Sequence, residues 1–389
     1  MKKVNQKRTI RKVISWTEAL SDYGKKLLEY VQGYGGFVNA HAHPDRATTN
    51  NLLYWQRAGI DPYEAATYPL SLKQSLTGEL HQGEAYTAMD LEKRMTTQFD
   101  RMIDFFTKEV TILIDATPDI ELIAIDTAIK VRKKFADRIN IRIGTQPIFG
   151  FKDPKQNPDR WEVFKKASSK VEVIGGLPEK DDSVDRIGFD EHLRMILKLG
   201  IELRKEVHVH VDQGNDPREN GTETLIEAVR WLGSPKVSGN NGKPTVWAVH
   251  SISPSCYEEN RFKKLLANLK EYNIGIICCP RAAISMRQLR PFSTPIHNSM
   301  ARLLEMIKHE IPIMIGTDNI ADVFVPTGNA NMIDELILLA DILRYYTPEL
   351  WAKIGCNEPL NNMNRELVSR ALSQDSKVFR DISSDFTKT

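Results

Sequence analysis

Phe37-Val38-Asn39-Ala40-His41-Ala42-His43-Pro44-Asp45 is an apolar run that arrives at two histidines spaced by one residue, where a strand should end. Residues i and i+2 of a β-strand point to the same side, so His41 and His43 can present both imidazoles to one metal ion. Three later segments repeat the arrangement. Glu206-Val207-His208-Val209-His210-Val211-Asp212-Gln213 is a second apolar strand carrying histidines, Thr245-Val246-Trp247-Ala248-Val249-His250 ends in one, and Ile311-Pro312-Ile313-Met314-Ile315-Gly316-Thr317-Asp318 ends in aspartate. Polar residues at the carboxyl ends of successive buried strands are where a barrel enzyme keeps its site.

The rest of the chain fits that architecture. Apolar, β-rich runs bounded by turn residues lie at Gly36 to His43, Val110 to Thr117, Ile139 to Gln146, Val171 to Leu177, Glu206 to Asp212, Thr245 to Ser251, Ile274 to Cys279 and Ile311 to Thr317. Helical patterns fall between most of them: Asp119 to Phe135, Phe189 to Leu199, Glu223 to Leu232, Tyr257 to Tyr272 and Ser299 to His309. Strand and helix alternating in this way imply parallel strands. Eight continuous apolar runs predict an α/β protein, a (β/α)8 TIM barrel, rather than a doubly wound sheet, and no Gly-x-Gly-x-x-Gly follows the first strand. The expected organisation is an N-terminal helical extension over 1–35, the barrel over 36–345 and a helical tail packing on it over 346–389, with no β-sandwich domain. Trp16 to Gln32 reads as an amphipathic helix, and Asn331 to Tyr346 and Met363 to Leu372 as closing helices. The connection from Thr48 to about Met89 exceeds an ordinary loop and is expected to cover the substrate.

A chain of 389 residues can bury the core such a barrel needs. With 53 basic against 51 acidic residues, the charge of +2 gives no reason to expect nucleic acid or an anionic membrane as partner. The basic start, Lys2 to Arg8, reads as a solvated arm, with neither a signal core nor a membrane span behind it. Cys256, Cys278, Cys279 and Cys356 are too few for a disulfide scaffold and predict a reduced, cytoplasmic protein, with Cys279 near the barrel mouth but without a role. A homo-oligomer is left open.

Neutral imidazole and carboxylate ligands suit zinc or ferrous iron. His41, His43, His210 and Asp318 would supply three nitrogens and an oxygen to one divalent ion, zinc with iron as the alternative, which lowers the pKa of its water toward neutrality. Asp318 could both touch the metal and take the proton of that water. His250 would hydrogen-bond the attacking hydroxide or polarise the scissile group. His208 shares the facing of His210 and is counted with the substrate contacts, or as a further ligand. His81, His192, His297 and His309 lie on helices or loops and carry no functional expectation.

His41-Ala42-His43, His210 in a His-x-Asp string, His250 and Asp318, in that order, resemble the amidohydrolase superfamily, metal-dependent barrels that hydrolyse C–N, C–O and P–O bonds. Within it the chain is similar to the cytosine deaminase group. That group has His-x-His at strand one, His-x-Asp-Glu at strand five and a strand-eight aspartate followed by Pro-x-Gly-x-Ala-Asn-Met. The last string is here Pro326-Thr327-Gly328-Asn329-Ala330-Asn331-Met332. The resemblance runs from about Gly36 to Leu339. It implies the metal ligands His41, His43, His210 and Asp318, with His250 beside the hydrolytic water and Gln146 hydrogen-bonding the ring edge of a substrate.

Two departures shape the functional expectation. The glutamate that moves a proton to the ring nitrogen in these deaminases is Gln213 here, and an amide cannot ionise for that work. Asp212 would replace it only if the strand stays regular to its end. Pro44-Asp45-Arg46 follows the first histidine pair in place of Leu-Asp-Lys or Leu-Asp-Thr, and Arg46 would meet either an anionic substrate group or a loop carboxylate. Binuclear members of that superfamily bridge their metals with a modified lysine from the fourth strand; Lys180 lies past the fourth apolar run, so the resemblance implies one metal rather than two. The expectation is a metal-dependent hydrolase of a C–N bond in a small nitrogenous amide, cyclic amide or amine-bearing ring, working by metal-bound hydroxide. Asp318 and His250 would be catalytic, with Gln213 at the site, and Gln146, Arg46 and His208 would touch the substrate. The alternatives are a cytosine deaminase-type aminohydrolase of a pyrimidine, pterin or triazine, and a metal-binding protein that has lost catalysis.

Overall fold

The computed structural model describes residues 16–286 and 299–386; the arm Lys2 to Arg8 and His297 lie outside the described residues. Its apolar runs form nine strands: β1 (Phe37–His43), β2 (Thr107–Asp115), β3 (Asn140–Gln146), β4 (Val173–Gly176), β5 (Glu206–Val211), β6 (Val246–His250), β7 (Ile274–Cys278), β8 (Ile313–Ile315) and β9 (Asp318–Asn319). They are hydrogen-bonded in the order β8-β7-β6-β5-β4-β3-β2-β1-β9, and every pair is parallel. All residues of β1, β4, β6 and β7 are buried, the pattern of strands covered on both faces. The result is a curled, TIM-barrel-like α/β sheet surrounded by helices. Among the described residues no strand lies outside it.

The eighth apolar run is divided. Gly316 and Thr317 separate β8, which pairs with β7, from β9, which pairs with β1. Asn39 of β1 fills the gap: its Oδ1 accepts from the Thr317 amide at 3.1 Å and its Nδ2 donates to Thr317 Oγ1 at 2.8 Å. A buried side-chain amide thus replaces a rung of the backbone ladder and leaves neither partner unsatisfied. Gly316 lies so close to β1 that a Cβ there would fall 2.6 Å from His41 Cβ and 2.8 Å from His41 O. This contact sets how near Asp318, two residues on, comes to the histidines.

The helices deviate from the sequence expectation for local reasons. The helix expected from Asp119 begins at Ile123, because a turn in which Glu121 has a φ of 46° precedes it. The pattern expected over Ser299 to His309 is helical only over Leu303–Lys308. Helix Pro158–Ser169 between β3 and β4 has no counterpart in that reading, since its buried set, Phe164, Ala167 and Ser168, is small and mixed with charge. The long connection after β1 contains helix Leu70–His81, and helix Ala88–Asp104 follows it. Helix Asp22–Gly33, capped by Ser21, packs on Pro348–Gly355, and Asn362–Phe386 packs on Leu303–Lys308.

Gly316→Ala should lower stability by about 1–3 kcal/mol, the usual cost of overpacking, and loosen metal retention, because His41 must retreat. Urea unfolding with parallel metal analysis checks this; wild-type values for both would contradict the close approach.

Candidate active site

The strand ends bring the histidines together as neutral bases. His43 Nδ1 lies 3.0 Å from Leu113 O and His210 Nδ1 3.2 Å from Gly176 O. A carbonyl only accepts, so both rings carry their proton on Nδ1 and turn the Nε2 lone pair inward. His41 Nε2 faces His210 Nε2 at 3.1 Å, and His41 Nδ1 is buried without a partner. Burial lowers His41, His43 and His210 well below the ordinary histidine value; the neighbouring imidazoles add to this for His41 and His210, and Arg46 for His43. Burial takes His250 down to about 4.

Asp318 completes the group from the opposite side. Its Oδ1 is 3.3 Å from His43 Nε2 and 3.7 Å from His41 Nε2, while Oδ2 is 3.7 Å from His250 Nε2. Burial pushes its carboxyl up to about 7, with Asp322 adding and Arg46 opposing. Ligand atoms of His41, His43 and His210 lie within 4.8 Å of one another, as do those of His250, Cys279 and Asp318. Inward lone pairs on neutral imidazoles, an unpartnered buried ring nitrogen and an adjacent carboxylate suit a divalent cation of the zinc or iron kind. Asp212, His250 and Asp318 all have positive φ, 56°, 76° and 56°. Left-handed backbone at non-glycine residues is costly, and its presence at three strand ends turns each side chain away from the strand's regular facing.

His43, Arg46, Gln146, His210, Gln213, His250 and Asp318 line one cavity, roofed in part by Leu70, Lys73 and Gln74 from the connection after β1. His208 is not among its lining residues. It lies a layer deeper, fully buried, with Nε2 3.5 Å from Glu206 Oε2. Lys180 is half-buried, with Nζ 3.5 Å from Ser71 O.

Asp212 does not replace the missing glutamate. The strand ends before it, and its carboxylate turns to the start of helix Gly221–Leu232, accepting from the Gly221 amide at 2.6 Å and the Thr222 amide at 2.8 Å. A different carboxylate reaches Gln213: Glu179, whose Oε2 accepts from Gln213 Nε2 at 2.9 Å. Burial pushes Glu179 up to about 8, with Glu219 and Asp212 adding.

Behind the cavity lies a buried ionic network that the sequence reading did not find. Arg46 Nη1 donates to both oxygens of Asp115, at 2.7 and 2.8 Å, so a protein carboxylate meets its charge. Asp115 Oδ2 also accepts from Tyr86 at 2.9 Å and lies 3.3 Å from His81 Nε2, and His81 Nδ1 is 2.7 Å from Asp119 Oδ2. Asp45 joins through Tyr86 and the Asp115 amide. His81, which carried no expectation, is therefore a buried cationic partner, whereas His192 is a neutral one: burial lowers it, its Nδ1 lies 2.7 Å from Asp181 Oδ2 and its Nε2 accepts from the Leu177 amide. Asp115 ends an apolar strand in the same manner as the other site residues, and that was the available signal.

Burial alone would lower His81, but Asp115 and Asp119 outweigh it and hold the imidazole up to about 9. A pKa raised on folding gives stability that is full below the ordinary value of 6.5 and lost as pH rises through about 9. Denaturant unfolding of the wild type should therefore show stability declining between those values, by on the order of 2–3 kcal/mol. His81→Gln should flatten that slope. An unchanged slope in the variant would contradict the assignment.

No family model matches the chain. An uncharacterized protein of Haemophilus influenzae is 29% identical over 273 residues, 70% of this chain and 91% of that one. Among solved structures, 5-methylcytosine deaminase from Klebsiella pneumoniae liganded with phosphonocytosine is 25% identical with a TM-score of 0.65, covering 79% of this chain and 69% of that chain. N-isopropylammelide isopropylaminohydrolase from Burkholderia multivorans is 15% identical with a TM-score of 0.60, covering 86% and 82%. Adenine deaminase from Arthrobacter aurescens is 13% identical with a TM-score of 0.56, covering 88% and 99%. The chain has the fold of the cytosine deaminase-like amidohydrolases that its motifs resemble.

Proposed function

We propose that this chain is a metal-dependent hydrolase that cleaves a C–N bond, other than a peptide bond, in a small nitrogenous compound. The observation that carries the reading is the convergence of His41, His43 and His210 with Asp318 at the carboxyl ends of β1, β5 and the split eighth run. The reading includes a closed (β/α)8 barrel over 36–345, with helical segments 1–35 and 346–389 around it. Its support is that the eighth run meets β7 at one end and β1 at the other. A cytoplasmic setting is part of it and agrees with four free cysteines. Among the described residues no helix is long and apolar enough to cross a membrane.

His41, His43, His210 and Asp318 would hold one divalent ion, zinc with iron as the alternative. When bound, such an ion acidifies water and polarises the bond to be cleaved. Asp318 supplies the proton transfer: one oxygen faces the histidine pair and the other faces His250, so it can take a proton on one side of the cavity and return it to the leaving nitrogen. His250, neutral and buried, orients the attacking oxygen and stabilises the charge that develops on the substrate. Gln146, Gln213 and Arg46 face the substrate from the wall.

A second reading, an aminohydrolase of a pyrimidine, is favoured by the likeness to 5-methylcytosine deaminase. Gln213 weighs against it, because an amide does not ionise and so cannot transfer a proton to a ring nitrogen.

Elemental analysis of the purified full chain, with assays on cytosine, isocytosine, hydantoin, substituted triazines and lactams, tests the proposal. About one equivalent of zinc or iron is expected, the load of one open catalytic site, together with turnover of a C–N substrate. Asp318→Asn should reduce kcat by about 10²- to 10⁴-fold with the fold retained by circular dichroism. Failure to take up metal after reconstitution, or full activity in the variant, would overturn the reading.

A further inference from the structure

Gln213 stands where related deaminases carry their proton-transferring carboxylate, and its amide is held in one orientation. Nε2 donates to Glu179 Oε2 at 2.9 Å. Glu179 sits on the turn Pro178–Asp181 behind β4 and does not line the cavity that Gln213 shares with His210, His250 and Asp318. The other carboxyl oxygen, Oε1, is buried without a partner. Acid and amide are therefore joined by one bond, not by the two-bonded ring they are able to form. A carboxyl oxygen can accept from an N–H whether the acid is ionised or neutral, so the anchor holds in either state. Gln213 itself is buried, and among the described residues its Oε1 has no hydrogen-bond partner. With the donor half tied to Glu179, the carbonyl half is left for the cavity.

Gln146 is set the opposite way. Its Oε1 is buried without a partner and faces the backbone of β4, where a Cβ on Gly175 would lie 3.0 Å from it. The donor half, Nε2, is the half left for the cavity. The same wall therefore offers a donor at Gln146 and an acceptor at Gln213.

We propose that this pair selects a cyclic amide or imide, with a carbonyl oxygen toward Gln146 and a ring N–H toward Gln213, and that Glu179 is the positioning residue that fixes the choice. The inference rests on the hydrolase reading above and names its substrate class. A ring nitrogen without hydrogen would put two acceptors face to face and lose about 10- to 100-fold in binding, the equivalent of one unmade buried hydrogen bond. The chemistry agrees with the loss of the glutamate. Hydrolysis of a cyclic amide adds hydroxyl to the carbonyl carbon and hydrogen to the departing nitrogen as the C–N bond breaks, and the carbonyl is electrophilic without prior protonation of the ring.

The test is calorimetric titration of the metal-loaded full chain with uracil and hydantoin and with their singly N-methylated forms. One methylated position of a bound ring should weaken binding by about 10- to 100-fold. Gln213→Met should abolish that difference, which a merely steric effect of the methyl group would preserve. Glu179→Leu should narrow it by releasing the amide, and Glu179→Gln should restore it, because the new side-chain carbonyl still accepts from Gln213 Nε2. A difference that persists in Gln213→Met overturns the inference, as does binding indifferent to methylation at every position. Absence of binding by either ring while metal content is normal overturns it too and leaves the hydrolase reading standing. Absence of metal defeats that reading first.

Discussion

The site is built around four buried imidazoles gathered round one buried carboxyl, three of them 3.3–3.7 Å from it, and an arrangement of neutral rings with inward lone pairs suits a cation. Desolvation makes protonation of His41, His43, His210 and His250 unfavourable, and two of these rings have already committed Nδ1 to backbone carbonyls of β2 and β4. Nε2 of His41, His43 and His250 faces Asp318 and Nε2 of His210 faces His41, and the burial of Asp318 favours a shared positive charge beside it. The surrounding architecture follows from this requirement. The strands must end at one level, the eighth run must approach β1 more closely than a ladder with side chains allows, and the backbone must turn sharply where the polar groups begin.

Each of these demands has an identifiable solution in the chain. Gly316 permits the close approach, and Asn39 carries the hydrogen bonding across the resulting gap to Thr317. His250 and Asp318, both with left-handed backbone, line the cavity. The buried pairing of Arg46 with Asp115 places a fixed positive charge on the cavity wall, and that charge opposes the rise of Asp318. A cation on the wall and a carboxyl near neutrality belong to one electrostatic system, not to separate features.

The strands were legible because parallel strands buried on both faces must be continuously apolar, and all eight runs reappear within three residues of their expected limits, the last divided in two. The histidine set was legible for the same reason, since an i, i+2 pair at the end of such a run has little else to do. Legibility ended where partners come from distant elements. His81 on its helix and Asp115 at the end of β2 give no sign in sequence of meeting, and Glu179 meets Gln213 only because two strand-end turns are adjacent in space. Asp212 shows the limit of periodicity: its i, i+2 relation to His210 is intact in sequence, and a positive φ at the residue itself removes it from the cavity. Helix Pro158–Ser169 has only a narrow apolar face and so gives little periodic signal in sequence.

X-ray absorption at the metal edge of the zinc-loaded full chain addresses the central claim most directly. The account predicts an imidazole shell at about 2.0–2.1 Å with an oxygen neighbour, diminished in His41→Ala. A sulfur shell at about 2.3 Å, as Cys279 would give, or a spectrum unaffected by loss of His41, would contradict it.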